Sequence, residues 1–354
     1  MFKSFNIKNF RGFKDFSIDS LGRINLVIGQ NNIGKTALLE GLFLLLGSNN
    51  AHLPLRLNTF RGLDTFPLEA EEIWGWLFYN RQIDSPIQLE AIDKHDIKHT
   101  LSIKLETSAT EVSSGKEGNL ILGQKLISTT ESENKTLLLN YSNNKNTYKA
   151  QARIIAGGIE HSAGSFSPFS PSYYLGSNIR TPIQDSVNLF SKLERDGKHE
   201  EIISTLKIIE PDLKRLAVSY IGGIPNIFAD IGRKPLLPIT FMGEGINKLL
   251  SILLSIASSP NGCVLIDEIE NGLHYSVMTT VWQAIGDLVK KLNTQLVITT
   301  HSLECIQSAE QVCEQSEDYN FKLYRLERAD KEIRVIKYDQ QDLETSLELG
   351  WEVR

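Results

Sequence analysis

The sequence predicts an α/β protein with an N-terminal β lobe, an inserted β-rich and helical region, and a C-terminal lobe of parallel βαβ units. Three observations carry this. From about residue 236 onward, short apolar runs alternate with helix-length patterns, the mark of a parallel sheet covered by helices. Near the N-terminus, residues 23–28 read as a buried strand that ends at Gly29, and a short polar loop then leads into an apolar helical run over 36–46. Between these two parts, several short alternating segments are separated by Ser-, Asn- and Gly-rich turns, so the middle of the chain is an insertion of different character.

Composition fits this picture. The chain has 354 residues, 41% hydrophobic and 23% charged, with 37 Lys+Arg against 43 Asp+Glu and a formal charge of −6. A chain of this length corresponds to about two domains, or to one large domain with an insertion. The proportions exclude a disordered, collagen-like or disulfide-scaffold protein. A modest acidic balance argues against a nucleic-acid binder that uses its whole surface, though not against a local basic groove. The opening MFKSFNIKNFRGF has no apolar core of signal-peptide length, and the greasiest stretch, around Leu42 to Gly47, is too short to span a bilayer. A soluble, cytoplasmic protein is therefore expected. Cys263, Cys305 and Cys313 are odd in number and lack C-x-x-C spacing, which reads as three reduced thiols.

Along the chain, residues 2–10 and 13–18 alternate as two strands around Arg11-Gly12. The organisation is read as one domain over 1–354, divided into a β lobe with the glycine-rich loop (1–50), a β-rich insertion (51–180), a helical lobe (181–235) and a C-terminal α/β lobe (236–354). The insertion has a short amphipathic helix over 69–79, strands over 87–92, 99–106, 118–128, 135–141 and 148–154, and a mobile loop over 156–171. Helices follow over 184–196 and 199–210, the second closed by Pro211. The last lobe reads as a strand over 238–241, a helix over 244–258, a strand over 263–266, a helix over 276–292, a strand over 295–300 and a helix over 303–314.

Gly29-Gln30-Asn31-Asn32-Ile33-Gly34-Lys35-Thr36 matches G-x-x-x-x-G-K-[ST] in full, after a strand and before a helix. Glycines permit a tight loop whose N–H groups wrap phosphate oxygens, the helix N-terminus adds positive dipole, Lys35 reaches the outer phosphates, and Thr36 offers its hydroxyl to Mg²⁺. Cys263 to Ile266 form an apolar strand that ends in Asp267 and Glu268. Such a strand delivers one carboxylate to the metal side of a phosphate site and the other to where a base orients water. A second apolar strand ends at Thr299-Thr300-His301, which places His301 at the same edge. A GTP-reading Asn-Lys-x-Asp is missing, since Asn247-Lys248-Leu249-Leu250 lacks the acid. More than two hundred residues separate Lys35 from Asp267, so the two halves of one site must flank an insertion.

These residues resemble the ABC-type ATPase heads of the SMC, Rad50, RecF and OLD (overcoming lysogenization defect) families. IKNFRGFKDFSI resembles their first strands, GQNNIGKT their Walker A loop, LIDEIENGLH their Walker B and D-loop, and VITTHS their switch histidine. IDEIENGLHYS, TTHSLECI and LELGWEVR are similar to short AAA-type ATPases that form one half of two-gene bacterial systems, anti-phage systems among them. The resemblance implies a P-loop NTPase of ABC-ATPase type that uses ATP and Mg²⁺. It implies phosphate contacts from Asn31, Asn32, Gly34, Lys35 and Thr36, with Ala37 beside them, Mg²⁺ on Thr36 and Asp267, Glu268 as catalytic base, and His301 as γ-phosphate sensor. Arg11 of FRGF matches an arginine that approaches the nucleotide, and His274 lies in the D-loop that crosses to a partner head.

One departure stands out. Where the family carries the Leu-Ser-Gly-Gly-Gln signature, this chain has Phe241-Met242-Gly243-Glu244-Gly245, without the serine. Gly243 and Gly245 can still present N–H groups to an opposite nucleotide and Lys248 can add charge, while Glu244 opposes it. The metal-binding glutamine of the family's Q-loop has no assigned position: Gln82, after the apolar WGWLFYN, is one candidate, and an ordinary loop residue is the other reading of it. The resemblance further implies a homodimer or higher oligomer, with two chains around two nucleotides, and a separate nuclease or other effector, since no TOPRIM-like domain is expected after His301. A RecF-like repair ATPase that binds DNA is the alternative, and a nucleotide-dependent binding module with little turnover is a third reading.

Overall fold

The computed structural model describes residues 1–62, 70–107, 135–155, 158–162, 169, 171–177, 183–315, 320–330 and 332–348. Strand β1 (Phe2–Phe10) buries Phe2, Phe5, Ile7 and Phe10. A register shift between Phe2 and Ser4, and the left-handed Asn9 (φ 54°), put three-residue steps into the two-residue alternation. Arg11 and Gly12 turn the chain into β2 (Phe13–Ile18), and β3 (Ile24–Gly29) is buried along its whole length. Helix α1 (Lys35–Leu46) is buried on nearly every face, so it lacks the one-sided pattern of a surface helix. It is followed by α2 (Leu53–Phe60) and α3 (Ala70–Trp74). The expected helix over 69–79 stops at Trp74: the next residues make two single 3₁₀ turns, with Phe78 extended and Asn80 at φ 49°, as Leu77 and Phe78 are drawn into the core.

Strands β4 (Ile87–Asp93), β5 (Lys98–Thr107), β6 (Lys135–Asn143), β7 (Thr147–Ile155) and β8 (Gly158–Ser162) follow as an antiparallel series. The strand expected over 118–128 lies outside the described residues, and β8 occupies part of the stretch expected as a loop. Next come β9 (Ser172–Leu175), α4 (Ile183–Arg195) and α5 (His199–Leu206). The region read as purely helical also contains a hairpin, β10 (Arg215–Ile221) and β11 (Ile224–Asp230), turned by Gly222-Gly223 at φ 56° and 84°. Two consecutive positive φ values are what a two-residue hairpin turn requires, and glycine supplies them without strain. The short β12 (Leu237–Pro238) completes that sheet.

The strand expected over 238–241 is replaced by β12 and a 3₁₀ turn over Ile239–Phe241, and from there the chain alternates as expected: α6 (Glu244–Ala257), β13 (Cys263–Ile266), α7 (Met278–Leu292), β14 (Gln295–Thr299) and α8 (Leu303–Glu314). Helix α8 starts where Ser302 Oγ accepts the Cys305 N–H at 3.0 Å, and α7 stops where Asn293 turns left-handed. Then come β15 (Phe321–Ala329), β16 (Glu332–Tyr338) and α9 (Gln340–Glu348).

One sheet has the order β2-β1-β4-β5-β6-β7-β8, so the N-terminal hairpin and the inserted strands are continuous. A second has the order β16-β15-β3-β14-β13-β9, and β3, β13 and β14 run parallel in its centre. This second sheet is covered on both faces. Leu26, Ile28, Val264, Ile266, Leu296 and Ile298 point to one core shared with α4 to α8, whereas Val27, Leu265 and Val297 point to the other, shared with α1 and the first sheet. Burial on both sides is why these strands read as unbroken apolar runs. Cys263, Cys305 and Cys313 are free and buried, and burial pushes each thiol up to about 12. Among the described residues no helix is long and apolar enough to cross a membrane.

The two sheets are joined by a buried amide. Gln295 Oε1 accepts the Phe2 N–H at 2.8 Å, and its Nε2 donates to the carbonyls of Phe2 (2.9 Å) and Gly22 (2.8 Å). Replacing Gln295 with Leu removes the side-chain partner of the buried Phe2 N–H and carbonyl, while the Gly22 carbonyl keeps Asn25 Nδ2 at 2.9 Å. The expected loss is about 2–3 kcal/mol in urea unfolding, and a loss under about 0.5 kcal/mol would show that the joint is held elsewhere.

Candidate functional site

Because β3, β14 and β13 are parallel neighbours, their C-terminal ends open on one edge of the sheet. The loop after β3 needs its glycines. Gly29 lies at φ 137°, where a Cβ would meet the Leu326 carbonyl oxygen at 2.4 Å, and Gly34 lies at φ 109° against the Phe13 ring. Asn32 adopts φ 60°, Ile33 is buried as an anchor, and Gln30, Asn31 and Asn32 face solvent. Lys35 begins α1 and is only 6% exposed. Its ammonium donates to the carbonyls of Gly29 (2.7 Å) and Gln30 (2.9 Å), and burial lowers its proton affinity. Ala37 is buried one residue beyond Thr36.

Asp267, at the end of β13, brings the two halves of the chain together. Its Oδ2 accepts from Thr36 Oγ1 at 3.0 Å, 231 residues away, and its Oδ1 accepts from Thr299 Oγ1 at 2.6 Å. The residue is 3% exposed, and burial raises its pKa against the lowering effect of both hydroxyls. Thr299 Oγ1 also accepts the Glu268 N–H at 2.8 Å. Glu268 stands at φ 49°, a left-handed conformation that costs a residue with a Cβ about 1–3 kcal/mol and that collects at functional sites. Its Oε2 accepts from Asn271 Nδ2 at 2.7 Å, and its Oε1 lies 3.6 Å from His301 Nε2. The His301 N–H donates to Glu270 Oε1 at 2.6 Å, while Glu270 Oε2 is buried without a partner.

Lys35, Thr36, Asp267, Glu268 and His301 therefore converge, as expected from sequence. Lys248 joins them from α6 of the same chain: its ammonium is 3.4 Å from the Asp267 carbonyl oxygen, and burial lowers its pKa against the pull of Asp267, Glu270 and Glu268. It faces its own acidic cluster, whereas the sequence reading gave it to an opposite nucleotide. Gly243 caps α6 at φ 80° with open space around it. Gly245 packs so tightly that a Cβ would lie 2.7 Å from the Gly272 carbonyl oxygen. His274 caps the 3₁₀ turn after the acidic loop and lies against Tyr275 at 4.4 Å. The Gln82 side chain is exposed and its carbonyl accepts from Asn9 at 3.1 Å, while the Asp267 carboxylate is engaged by Thr36 and Thr299.

Arg11 is held beside the loop by a partner that sequence reading left unassigned. Glu40, one turn beyond Thr36 on α1 and 1% exposed, accepts Arg11 Nε at 3.2 Å and is gripped by Arg61 through Nε (2.8 Å) and Nη2 (2.9 Å). Arg11 Nη1 donates to the Trp76 carbonyl at 3.1 Å, and its Nη2 is buried without a partner. A lone acid inside the apolar run ALLEGLFLLL was the available signal, because a buried carboxylate demands cations. Thr299, Glu270 and Asn271 gave no comparable signal in the sequence.

The donor set suits a hard cation. Thr36 Oγ1 and Asp267 Oδ2 meet, and excess acid surrounds them, which is the chemistry of Mg²⁺ held by one carboxylate, a hydroxyl, substrate phosphates and water. Among the described residues no group of three or more His, Cys, Asp or Glu forms a metal cage of its own.

A glycine loop at a helix start, joined through threonine to a strand-end aspartate, is the apparatus of a phosphate-loop nucleotidase. The model of the AAA ATPase domain matches residues 1–306. The chain belongs to this ATPase family. An ATP/GTP phosphatase of Helicobacter pylori is 25% identical over 370 residues, 97% of each protein. The solved SMC head bound to the C-winged helix domain of ScpA matches with a TM-score of 0.53 at 15% identity, over 97% of this chain and 99% of that one. The ATPase thus has the α/β fold of an SMC-type head. Within it, Glu40→Ala would leave two guanidinium groups facing one another beside the phosphate loop. A stability loss of about 3–5 kcal/mol in urea unfolding is expected, and a loss under about 1 kcal/mol would show that the cluster has little part in holding α1.

Proposed function

We propose that this ATPase is a nucleotide-switched head that closes in pairs on ATP and controls a separate effector, a nuclease, in a bacterial defence system. The observation that carries the reading is the connection between the acidic turn and the surface. Gly272, in the turn that follows Glu268 and Asn271, packs on Glu244 and Gly245 at the start of α6, within the segment that replaces the family signature. In sequence Phe241 lies three residues before Glu244 and Tyr275 three after Gly272, and they are 73% and 68% exposed. Two exposed aromatic residues close in sequence to the contact between these two segments support a surface that a second macromolecule covers. Open space around Gly243, at the start of a long helix, supports an approach of phosphate oxygens from a second copy.

In this reading the loop 29–36 receives the phosphates on its N–H groups, and Lys35 exchanges its contacts with the Gly29 and Gln30 carbonyls for phosphate oxygens. Thr36 and Asp267 would hold Mg²⁺, which when bound neutralises charge on the terminal phosphates. Glu268 orients a water in line with the γ-phosphate and takes its proton. His301 lies beside Glu268 and faces the same terminal group.

Lys35→Ala is expected to abolish the heat of ATP binding in calorimetry. Glu268→Gln is expected to keep binding, to lower kcat at least about 100-fold, and to accumulate at twice the monomer mass with ATP in light scattering. Wild-type turnover in Glu268→Gln removes the base, and an unchanged monomer mass in every nucleotide state removes the paired head. Effector control predicts a nuclease or TOPRIM-like product encoded beside this gene, with cleavage that responds to ATP. A RecF-like role predicts instead ATP-stimulated DNA binding that weakens steeply with salt. Parallel assays with GTP test the base preference, since the name of the Helicobacter pylori relative covers both nucleotides.

A further inference from the structure

We infer that Asn271 is a positioning residue for hydrolysis: its side-chain amide fixes one oxygen of Glu268 so that the other is presented to the attacking water. This rests on the reading of Glu268 as the base. An ionised carboxylate only accepts hydrogen bonds, so the NH₂ end of Asn271 must face it. That bond, Nδ2 to Oε2 at 2.7 Å, is joined by a main-chain bond from the Asn271 N–H to the Glu268 carbonyl at 3.2 Å. One residue therefore fastens both the backbone and the carboxylate of Glu268. The third restraint is the Glu268 N–H on Thr299 Oγ1.

The surroundings explain why a restraint is needed. Asp267 precedes Glu268 and Glu270 follows within two positions, so like charge pushes the carboxylate outward, and its side chain is 34% exposed, with room to leave. The cations that face the cluster, Lys35 from α1 and Lys248 from α6, have closer engagements, with the phosphate-loop carbonyls and the Asp267 carbonyl. His301 Nε2 stands at 3.6 Å from Oε1, beyond a hydrogen bond. Asn271 thus supplies the direct side-chain donor. A neutral donor holds a carboxylate in place with less loss of basicity than a cation would cause. Oε2 is occupied and Oε1 is left open to the site.

The test compares wild type, Asn271→Ala, Asn271→Asp, Glu268→Gln and the Asn271→Ala/Glu268→Gln double variant. Asn271→Asp preserves shape and removes the donor, so it separates positioning from packing. Both Asn271 variants are expected to lower kcat about tenfold or more, with KM and calorimetric ATP affinity within about twofold of wild type. In the Glu268→Gln background the Asn271→Ala change is expected to add less than about twofold, because the carboxylate it serves is already gone. Wild-type kcat in Asn271→Asp, or an undiminished loss from Asn271→Ala on top of Glu268→Gln, overturns the inference. If Glu268→Gln itself turns over like wild type, the base assignment falls first. If Glu268→Gln is slow while Asn271→Ala is fast, only the positioning role falls.

Discussion

A buried carboxylate shared by two threonines is the constraint on which the site depends. Asp267 is taken out of water at the end of β13, and two hydroxyls, Thr36 from the start of α1 and Thr299 from the end of β14, make that tolerable. Each hydroxyl also fixes a piece of chemistry. Thr36 is the residue after Lys35, so the bond sets the phosphate loop against the acidic turn. Thr299 accepts from the Glu268 N–H, which holds the next residue in its strained conformation. The parallel register of β3, β14 and β13 brings the three side chains to one edge without any long-range search by flexible loops.

Much of this was legible in local sequence. β13 and α8 occupy the stretches their patterns indicate, because a strand buried on both faces reads as an unbroken apolar run and Ser302 is an N-cap whose side chain bonds the first turn. The loop Gly29 to Thr36 was legible because its glycines are demanded by geometry. The Gly29 and Gly34 positions admit no Cβ without collision. The partners of the catalytic groups were harder to read. Thr299 looks like any β-branched strand residue, and Asn271 like any turn residue, until the sheet order is known. The short β9 gives too little pattern to place, although it lines the Asp267 strand and its Leu175 carbonyl accepts the Asp267 N–H at 2.8 Å. The hairpin β10–β11 was readable in principle from Ile221-Gly222-Gly223-Ile224, a Gly-Gly pair between apolar residues.

The arginines show how a site can be right in its members and incomplete in its logic. The resemblance gives Arg11 an approach to the nucleotide, and the structure binds its guanidinium to Glu40 together with Arg61. Two guanidinium groups on one carboxylate leave a net positive charge next to the loop. Tyr174, in tilted ring contact with Phe43 and Phe60, lies between this cluster and Asp267, and burial pushes its hydroxyl far above the usual range. Glu40 sits one turn beyond Thr36 on the same helix, so one side chain of α1 ties both arginines and, through Arg11, the end of β1 to the helix that carries Lys35 and Thr36.

The strand order has a further consequence for biosynthesis. β3, which bears the phosphate loop, is among the earliest strands to leave the ribosome, yet its two lateral neighbours are β14 and β15, among the last. For most of translation this largely apolar ribbon has unpaired edges on both sides, and the nascent ATPase exposes a template for mispairing until its final segments emerge. Slow decoding or early release in the C-terminal quarter would therefore harm folding yield far more than the same event in the inserted strands, whose neighbours in space are also neighbours in synthesis.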